Sequence, residues 1–243
     1  MYTWDAPVSI QQIDGVHVAR EDFLPGGTKT RFLAAMIAGA REVVYGGPFC
    51  GGAAIALSVV GKELGIPVTL FYAKRKAWHP RQLLAQRHGA HLIPVPMGFL
   101  SHVQSKARRY AEDTGALHLR LGFDLPDASI VLTDILRQTR QQHGGFDVIH
   151  VACGTGMLTR CLADAWPEAE IVSTCVGLKS RWGERPFPSN VRLVEWPRTL
   201  EHPSQAVVPF PCCPYYEAKA WETMQRERPR GRVLFWNVLG TSE

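Results

Sequence analysis

A lysine follows two glycines early in the chain, in the run Pro-Gly-Gly-Thr-Lys-Thr-Arg at residues 25–31. The apolar run at residues 32–37 predicts a helix, so Lys29 would lie at a helix start. The positive end of the helix dipole favours the neutral amine there, the form of lysine that makes a Schiff base. The glycine spacing excludes a Walker A loop. From these residues alone, a solvated lysine in a turn remains the alternative.

A second glycine-rich turn, Cys-Gly-Thr-Gly-Met-Leu-Thr at residues 153–159, lies between a predicted strand and a predicted helix. Backbone amides at such a helix start bind anions, so a phosphate site is predicted. The same letters also resemble the first motif of Rossmann-like S-adenosylmethionine methyltransferases. Too few residues follow Thr159 for the remaining strand–helix units of that fold, which disfavours the methyltransferase interpretation.

Two further segments could contribute side chains to a site. The turn Gly-Gly-Pro-Phe-Cys-Gly-Gly at residues 46–52 would admit a planar ligand, or would only allow a strand to pack closely on a helix. Tyr216 and Glu217 follow irregular chain and precede a predicted helix, as in loops that present side chains to a cleft. A glutamate that merely caps the helix is the alternative for this pair.

The elements that position these segments form an α/β pattern, in which β-branched runs alternate with amphipathic stretches. A proline-rich, irregular segment is expected from residue 177 to residue 214. Predicted strands cover residues 42–45, 68–72, 91–95, 146–152, 170–176 and 232–236, and predicted helices cover residues 53–64, 79–88, 101–113, 127–142 and 217–226.

The composition is 46% hydrophobic and 20% charged, which excludes disordered, collagen-like and coiled-coil chains. No apolar run is long enough for a membrane span, and no secretory signal is visible. Six cysteines, two of them adjacent, do not form a disulfide-framework pattern, so a cytoplasmic location is predicted. The net charge of +5 is a mild bias toward polyanions. No metal site is predicted.

Together the four segments resemble pyridoxal-phosphate (PLP) enzymes of the tryptophan-synthase-β fold type, in the branch of 1-aminocyclopropane-1-carboxylate deaminase and D-cysteine desulfhydrase. In that branch a Gly-Gly-Asn-Lys-Thr-Arg run carries the Schiff-base lysine, and residues 26–31 match it. A strand–glycine–serine–asparagine turn is matched by residues 43–52, the phosphate loop by residues 154–156, and an Asp-Pro-x-Tyr-Glu-Gly-Lys stretch by residues 213–219. The closing Leu-Phe strand is matched by Leu234 and Phe235.

The resemblance implies a shortened, two-lobed, parallel-sheet α/β fold (PLP fold type II). The smaller lobe would span residues 43–124, and the larger lobe would combine residues 1–42 with residues 125–243. Pyridoxal 5′-phosphate is the implied cofactor, and a homodimer is expected because relatives of this fold commonly dimerise.

The resemblance also implies roles for single residues. Lys29 would bind the cofactor covalently, Tyr216 would lie by the cofactor face or the reacting carbon, and Glu217 would face the pyridine nitrogen. A carboxylate keeps that nitrogen protonated and makes the cofactor a strong electron sink, which favours carbanion chemistry. The implied cofactor-binding residues are Thr28, Lys29, Cys50, Gly51, Gly154, Thr155, Gly156, Met157, Leu158 and Glu217.

Departures from the family pattern suggest a particular reaction. Cys50 and Gly51 replace the family's serine and asparagine, which help to hold the substrate carboxylate, and Thr28 replaces the asparagine before the lysine. A carboxylate in an apolar pocket leaves more readily as carbon dioxide than one held by hydrogen bonds. We therefore expect a decarboxylase. An inactive relative, which binds DNA without catalysis, is one alternative, and a deaminase or β-eliminating lyase acting on a free small amino acid is another.

The shortened, basic chain also resembles compact viral members of this fold that are associated with hypermodified thymine in phage DNA. In those pathways an amino acid is installed on the thymine methyl carbon and then decarboxylated. The resemblance thus implies modified DNA as the substrate. The basic stretches at residues 74–76, 106–109 and 179–185, with Trp78 and Trp182, could hold phosphates and stack a base, although each such stretch is more often a solvated face.

Overall fold

The computed structural model describes residues 4–96, 98–123, 125–176 and 186–240. These residues divide into two compact units. The first unit comprises Pro25–Phe123 with Trp4, and the second comprises Asp5–Leu24 with residues 125–240. The division differs from the predicted one because residues 25–42 cluster with the unit that contains residues 43–123.

The first unit is built on a four-stranded parallel sheet in the order β5-β4-β3-β6. Val44 and Phe71 pack with residues of α4 on one face, and α2 packs against both α1 and α3. The strands are β3 (Val43–Gly46), β4 (Val68–Ala73), β5 (His91–Val95) and β6 (Leu117–Leu119), and the helices are α1 (Thr30–Ile37), α2 (Ala53–Leu64), α3 (Pro80–Arg87) and α4 (Leu100–Thr114).

The second unit is built on a six-stranded sheet in the order β1-β2-β10-β7-β8-β9, in which only the β1–β2 pair is antiparallel. Helices α5 and α6 pack together, and α7 packs on β7 and β8. The strands are β1 (Ile10–Ile13), β2 (Val16–Arg20), β7 (Val148–Cys153), β8 (Glu170–Cys175), β9 (Val191–Glu195) and β10 (Val233–Asn237), and the helices are α5 (Pro126–His143), α6 (Met157–Ala165) and α7 (Glu217–Glu227).

The α/β class and the parallel sheets are confirmed, and one expectation is wrong. The segment between residues 177 and 214 was expected to be irregular, yet it contains strand β9, which extends the sheet beyond β8. The residues of β9 are half-buried or exposed, as at a sheet edge, so the strand lacks a strong apolar signature. The six cysteines are all buried, and none of them forms a disulfide. No helix within the described ranges is long and apolar enough to cross a membrane.

Candidate functional site

Lys29 lies where the sequence predicts, at the start of α1. It ends a single turn of 3-10 helix, Gly27–Lys29, and is the N-cap residue of α1. Gly26 has a φ of +82°, and a Cβ atom there would lie 2.8 Å from the Ala56 Cα of α2. The glycine therefore lets the lysine turn pack directly on α2. Lys29 itself is half-buried, so part of its side chain is accessible to solvent.

The turn after β3 leads into the N-terminus of α2, and its residues are closely packed. A Cβ atom on Gly47 would lie 2.3 Å from the Tyr45 ring, so only glycine fits. The Gly51 N–H donates to the Pro48 carbonyl at 3.2 Å, which closes the turn before α2 begins. The Cys50 side chain is fully buried. The turn therefore offers a buried thiol and backbone groups where the family it resembles has a hydroxyl and an amide side chain.

The glycine loop at residues 154–156 connects β7 to α6. Gly156 is the N-cap residue of α6 and has a φ of +91°, a conformation that favours glycine. A Cβ atom on Gly156 would also collide with the Phe187 ring, at 2.7 Å, so the site admits no side chain. The first amides of α6 lack partners within the helix and lie at the positive end of its dipole. This loop can therefore hold a phosphate group.

Below this loop, the two strand ends are joined by a small polar network. Cys153 and Cys175 are register partners on β7 and β8, and the Thr159 and Ser173 hydroxyls are 2.7 Å apart. A hydrogen bond with Cys175 lowers the pKa of the Cys153 thiol; Thr159, Ser173 and the positive Arg160 act in the same direction, and burial opposes them. The network fixes the base of the loop on its two strands.

Tyr216 and Glu217 lie at the start of α7, in the same unit as the glycine loop. A Cβ atom on Gly154 would lie 3.5 Å from the Tyr216 ring, so the ring is beside the loop. Glu217 is only 3% exposed, and its Oε2 accepts a hydrogen bond from the Cys213 amide at 3.2 Å. Burial, with the adjacent Glu217 charge, raises the pKa of the Cys212 thiol to about 12. The second unit thus contains the glycine loop, the Tyr216 ring beside it and, at the next residue, the buried Glu217.

Two side chains of this region carry no signal in the sequence pattern. Phe187 covers Gly156, and the Arg160 guanidinium lies 4.5 Å from the centre of the Phe187 ring. Residue 187 is far from residue 156 along the chain, so only the fold brings it over the loop. A cation beside a phosphate-binding loop adds to its preference for anions.

Lys219, which belongs to the motif at residues 213–219, has a structural contact set. It is fully buried, and its Nζ donates to the carbonyls of Thr199 and Leu200 at 3.3 and 3.2 Å. The charge also lies 5.6 Å from the centre of the Trp196 ring. These contacts anchor the segment after β9 to α7.

The described basic stretches differ in their surroundings. Lys74, Arg75 and Lys76 are exposed after β4, and the Arg75 guanidinium lies 4.1 Å from the centre of the Phe49 ring in the turn after β3. In α4, Lys106, Arg108 and Arg109 are exposed on a solvated face, where Arg108 pairs with Glu112. The third stretch, at residues 179–185 with Trp182, lies outside the described residues.

Comparison with known proteins gives one family. The family model described as pyridoxal-phosphate dependent enzyme matches residues 6–206. No curated protein sequence matches the chain. A solved structure of an ACC deaminase homologue is similar with a TM-score of 0.78 and 16% identity, covering 97% of this chain and 90% of that one.

Two other solved structures share the fold. An O-ureido-L-serine synthase gives a TM-score of 0.75 with 19% identity, covering 100% of this chain and 91% of that one. Maize serine racemase gives 0.72 with 15% identity, covering 97% and 88%. At these identities the likeness shows the fold alone.

The residues present fit pyridoxal 5′-phosphate, the cofactor of this family. Its aldehyde needs a lysine amine, and Lys29 is half-buried at a helix start. Its phosphate needs several donors, and the glycine loop presents the first amides of α6, which lack partners within the helix. Its ring nitrogen needs an acidic partner to stay protonated, and Glu217 is a buried carboxylate beside Tyr216.

Proposed function

Because this chain belongs to the family of pyridoxal-phosphate-dependent enzymes, we propose that it is a lyase that decarboxylates an amino acid attached to a thymidine base in DNA. The product would be an aminoalkyl-modified base. The observation that carries the proposal is the burial of Glu217, which is only 3% exposed and whose carboxylate accepts a hydrogen bond from a backbone amide.

In this proposal Lys29 holds the cofactor, supported by Thr28 and by the turn at Cys50 and Gly51. The amides of residues 154–158, which are Gly154, Thr155, Gly156, Met157 and Leu158, hold its phosphate. When bound, the cofactor accepts the electron pair that the departing carboxyl group leaves on Cα. The Cα–carboxyl bond breaks, carbon dioxide leaves, and Cα receives a proton from the Lys29 amine or the Tyr216 hydroxyl. No oxidant or reductant is needed.

Glu217 supports carbanion chemistry over elimination. A carboxylate facing the ring nitrogen keeps it protonated, and the low exposure of Glu217 strengthens that interaction because little water screens it. Relatives with a neutral hydroxyl at this place favour β-elimination, in which less charge reaches the ring.

The turn after β3 supports loss of carbon dioxide in particular. Cys50 is fully buried, and the turn carries no hydroxyl or amide side chain at residues 50 and 51. A carboxylate placed there would be poorly solvated, and its conversion to neutral carbon dioxide would relieve that cost.

The exposed basic residues after β4 support a nucleic-acid substrate. Lys74, Arg75 and Lys76 lie at the carboxyl edge of the parallel sheet, where open α/β sheets bind ligands. Arg75 is adjacent to Phe49, one residue before Cys50. A large polyanion would reach this edge more readily than a buried pocket, and its affinity would fall with salt.

A deaminase or β-eliminating lyase acting on a free small amino acid is the second candidate. An ACC deaminase homologue is among the solved structures that share this fold, so the fold is compatible with such an activity. The two candidates differ in substrate and in product, so one set of assays separates them.

The test uses the holoenzyme and an oligonucleotide that carries an amino acid, labelled with ¹⁴C at its carboxyl carbon, on a thymine methyl carbon. We expect labelled carbon dioxide from this oligonucleotide and none from the same free amino acid. Release of ammonia or a keto acid from free amino acids without DNA would favour the second candidate instead. If the protein turned over neither substrate, and if Lys29→Ala left its affinity for the oligonucleotide unchanged, it would be an inactive relative that only binds DNA.

A further inference from the structure

The start of helix α3 in the first unit contains two buried donors that no function discussed above uses. His79 is the N-cap residue: its backbone N–H donates to Gln82 Oε1 at 2.8 Å, and its ring Nδ1 accepts from the Arg81 amide at 3.3 Å. This capping box uses the oxygen of the Gln82 side chain. The amide nitrogen of the same side chain therefore points away from the cap.

Both donors lack acceptors. Arg81 is 4% exposed, and its Nε has no hydrogen-bond partner; Gln82 is fully buried, and its Nε2 has none either. Among the described residues, no carboxylate forms an ion pair with Arg81. Buried donors are nearly always paired, and a buried donor left without an acceptor is unfavourable. Two adjacent exceptions at one helix start indicate a missing acceptor.

The ionisable side chain of Tyr72 does not supply a counter-charge to Arg81. Tyr72 lies close enough to Arg81 for the two to interact electrostatically, but burial raises the pKa of Tyr72 well above its ordinary value. The phenol therefore stays neutral and provides no counter-charge at any physiological pH.

The surroundings of this helix start are positive. Burial lowers the pKa of His79, and the charges of Arg81 and Arg75 lower it further. The Phe49 ring joins these groups, since it lies 5.0 Å from the His79 ring and 4.1 Å from the Arg75 guanidinium. The site thus combines a helix N-terminus, two unpaired buried donors and a second, exposed arginine.

We propose that the start of α3 is a phosphate-binding subsite, in which Arg81 and Gln82 donate to the phosphate oxygens and Arg75 adds an outer positive charge. The subsite rests on the proposed function, which supplies a phosphodiester of the DNA substrate as its ligand. Free phosphate presents the same chemistry and is the other source. The subsite belongs to the first unit, whereas the glycine loop, which is proposed to hold the phosphate of the cofactor, belongs to the second unit.

The first experiment measures the thermal stability of the holoenzyme with and without inorganic phosphate at constant ionic strength. The holoenzyme is used because the cofactor then occupies the glycine loop. Arg81→Met is compared with Arg87→Met, which removes the same charge from an exposed position on the same helix. Without phosphate, Arg81→Met should melt no lower than the wild type, because it removes a buried donor that has no acceptor. Phosphate should raise the melting temperature of the wild type and Arg87→Met but not of Arg81→Met.

A structural role for Arg81 would give the opposite pattern, with a lower melting temperature and an unchanged response to phosphate. Acetate at the same concentration is the control for anion type. An equal response to acetate would overturn the assignment to phosphate, and an equal phosphate response in Arg81→Met and wild type would overturn the subsite.

The second experiment measures binding of a fluorescent thymidine oligonucleotide to the same holoenzymes by anisotropy. Arg81→Met should weaken binding at least ~10-fold, the effect of one charged hydrogen bond, and Arg87→Met less than ~2-fold. A response to inorganic phosphate without an effect on the oligonucleotide would identify free phosphate as the source. Carbon dioxide release from modified DNA with an unchanged KM in Arg81→Met would refute the subsite and leave the proposed function standing. Arg81-dependent phosphate binding without any turnover of DNA would refute the proposed function and leave the subsite standing.

Discussion

His150 makes the protein sensitive to acid, because it must stay neutral in the fold. It lies in the middle of β7 and is fully buried, and neither ring nitrogen has a hydrogen-bond partner. Burial lowers its pKa from the ordinary value of 6.5 to about 4; Arg192 acts in the same direction, and Glu227 and Glu170 oppose it.

The magnitude follows from the linkage between protonation and folding. Between pH 6.5 and pH 4 the unfolded chain binds a proton at His150 that the folded chain does not, so stability is full above pH 6.5 and falls with decreasing pH. At about 1.4 kcal/mol per pKa unit, the loss from this residue is about 2 kcal/mol at pH 5 and approaches ~3 kcal/mol at pH 4.

The assay is urea unfolding of the holoenzyme from pH 8 to pH 4, with His150→Leu as the matched variant. Leucine is close in volume and does not titrate, whereas the carboxylates that titrate in this range are common to both proteins. The wild type should lose about 2 kcal/mol more than His150→Leu between pH 8 and pH 5. If the free energies of unfolding of the two proteins changed with pH in parallel, His150 would not be a cause of the acid sensitivity.

Three other substitutions test the site. Gly156→Ala should weaken cofactor binding, because the new Cβ atom meets the Phe187 ring. The control is Gly89→Ala, at a φ of +90° with open surroundings, which should cost only about 1 kcal/mol of stability through backbone strain. A cofactor titration compares the affinities of the two variants. Glu217→Ser should slow carbon dioxide release about 100-fold or more while sparing cofactor binding, and near-normal turnover would remove the case for carbanion chemistry. Cys50→Ser should lower kcat roughly 10-fold, since a hydroxyl would hold the substrate carboxylate in its ground state; a faster enzyme would contradict this.

Sequence periodicity predicted the central elements well. Helix α2 was predicted at residues 53–64 and has those bounds, since its apolar face and its closing Gly65 are local signals. The β1–β2 hairpin was missed although its signal is present. Asp14 and Gly15 form a two-residue turn with positive φ values of 50° and 80°, a strong hairpin pattern.

Other features depend on contacts that no local pattern contains. The turn carrying Lys29 clusters with the first unit because Gly26 packs on Ala56, a contact that chain order does not show. The cover of Gly156 by Phe187 and the burial of Arg81 likewise arise from tertiary packing. The roles assigned to the site residues, the homodimer and the cytoplasmic location stay predictions.

The most direct test of the account is the visible spectrum of the purified protein before and after borohydride, with Lys29→Ala alongside. We predict a yellow protein that is bleached by borohydride and labelled covalently at Lys29, and a variant that gains no label. A protein that stays colourless after addition of pyridoxal phosphate, or a label that Lys29→Ala retains, would contradict the assignment of Lys29 as the residue that holds the cofactor.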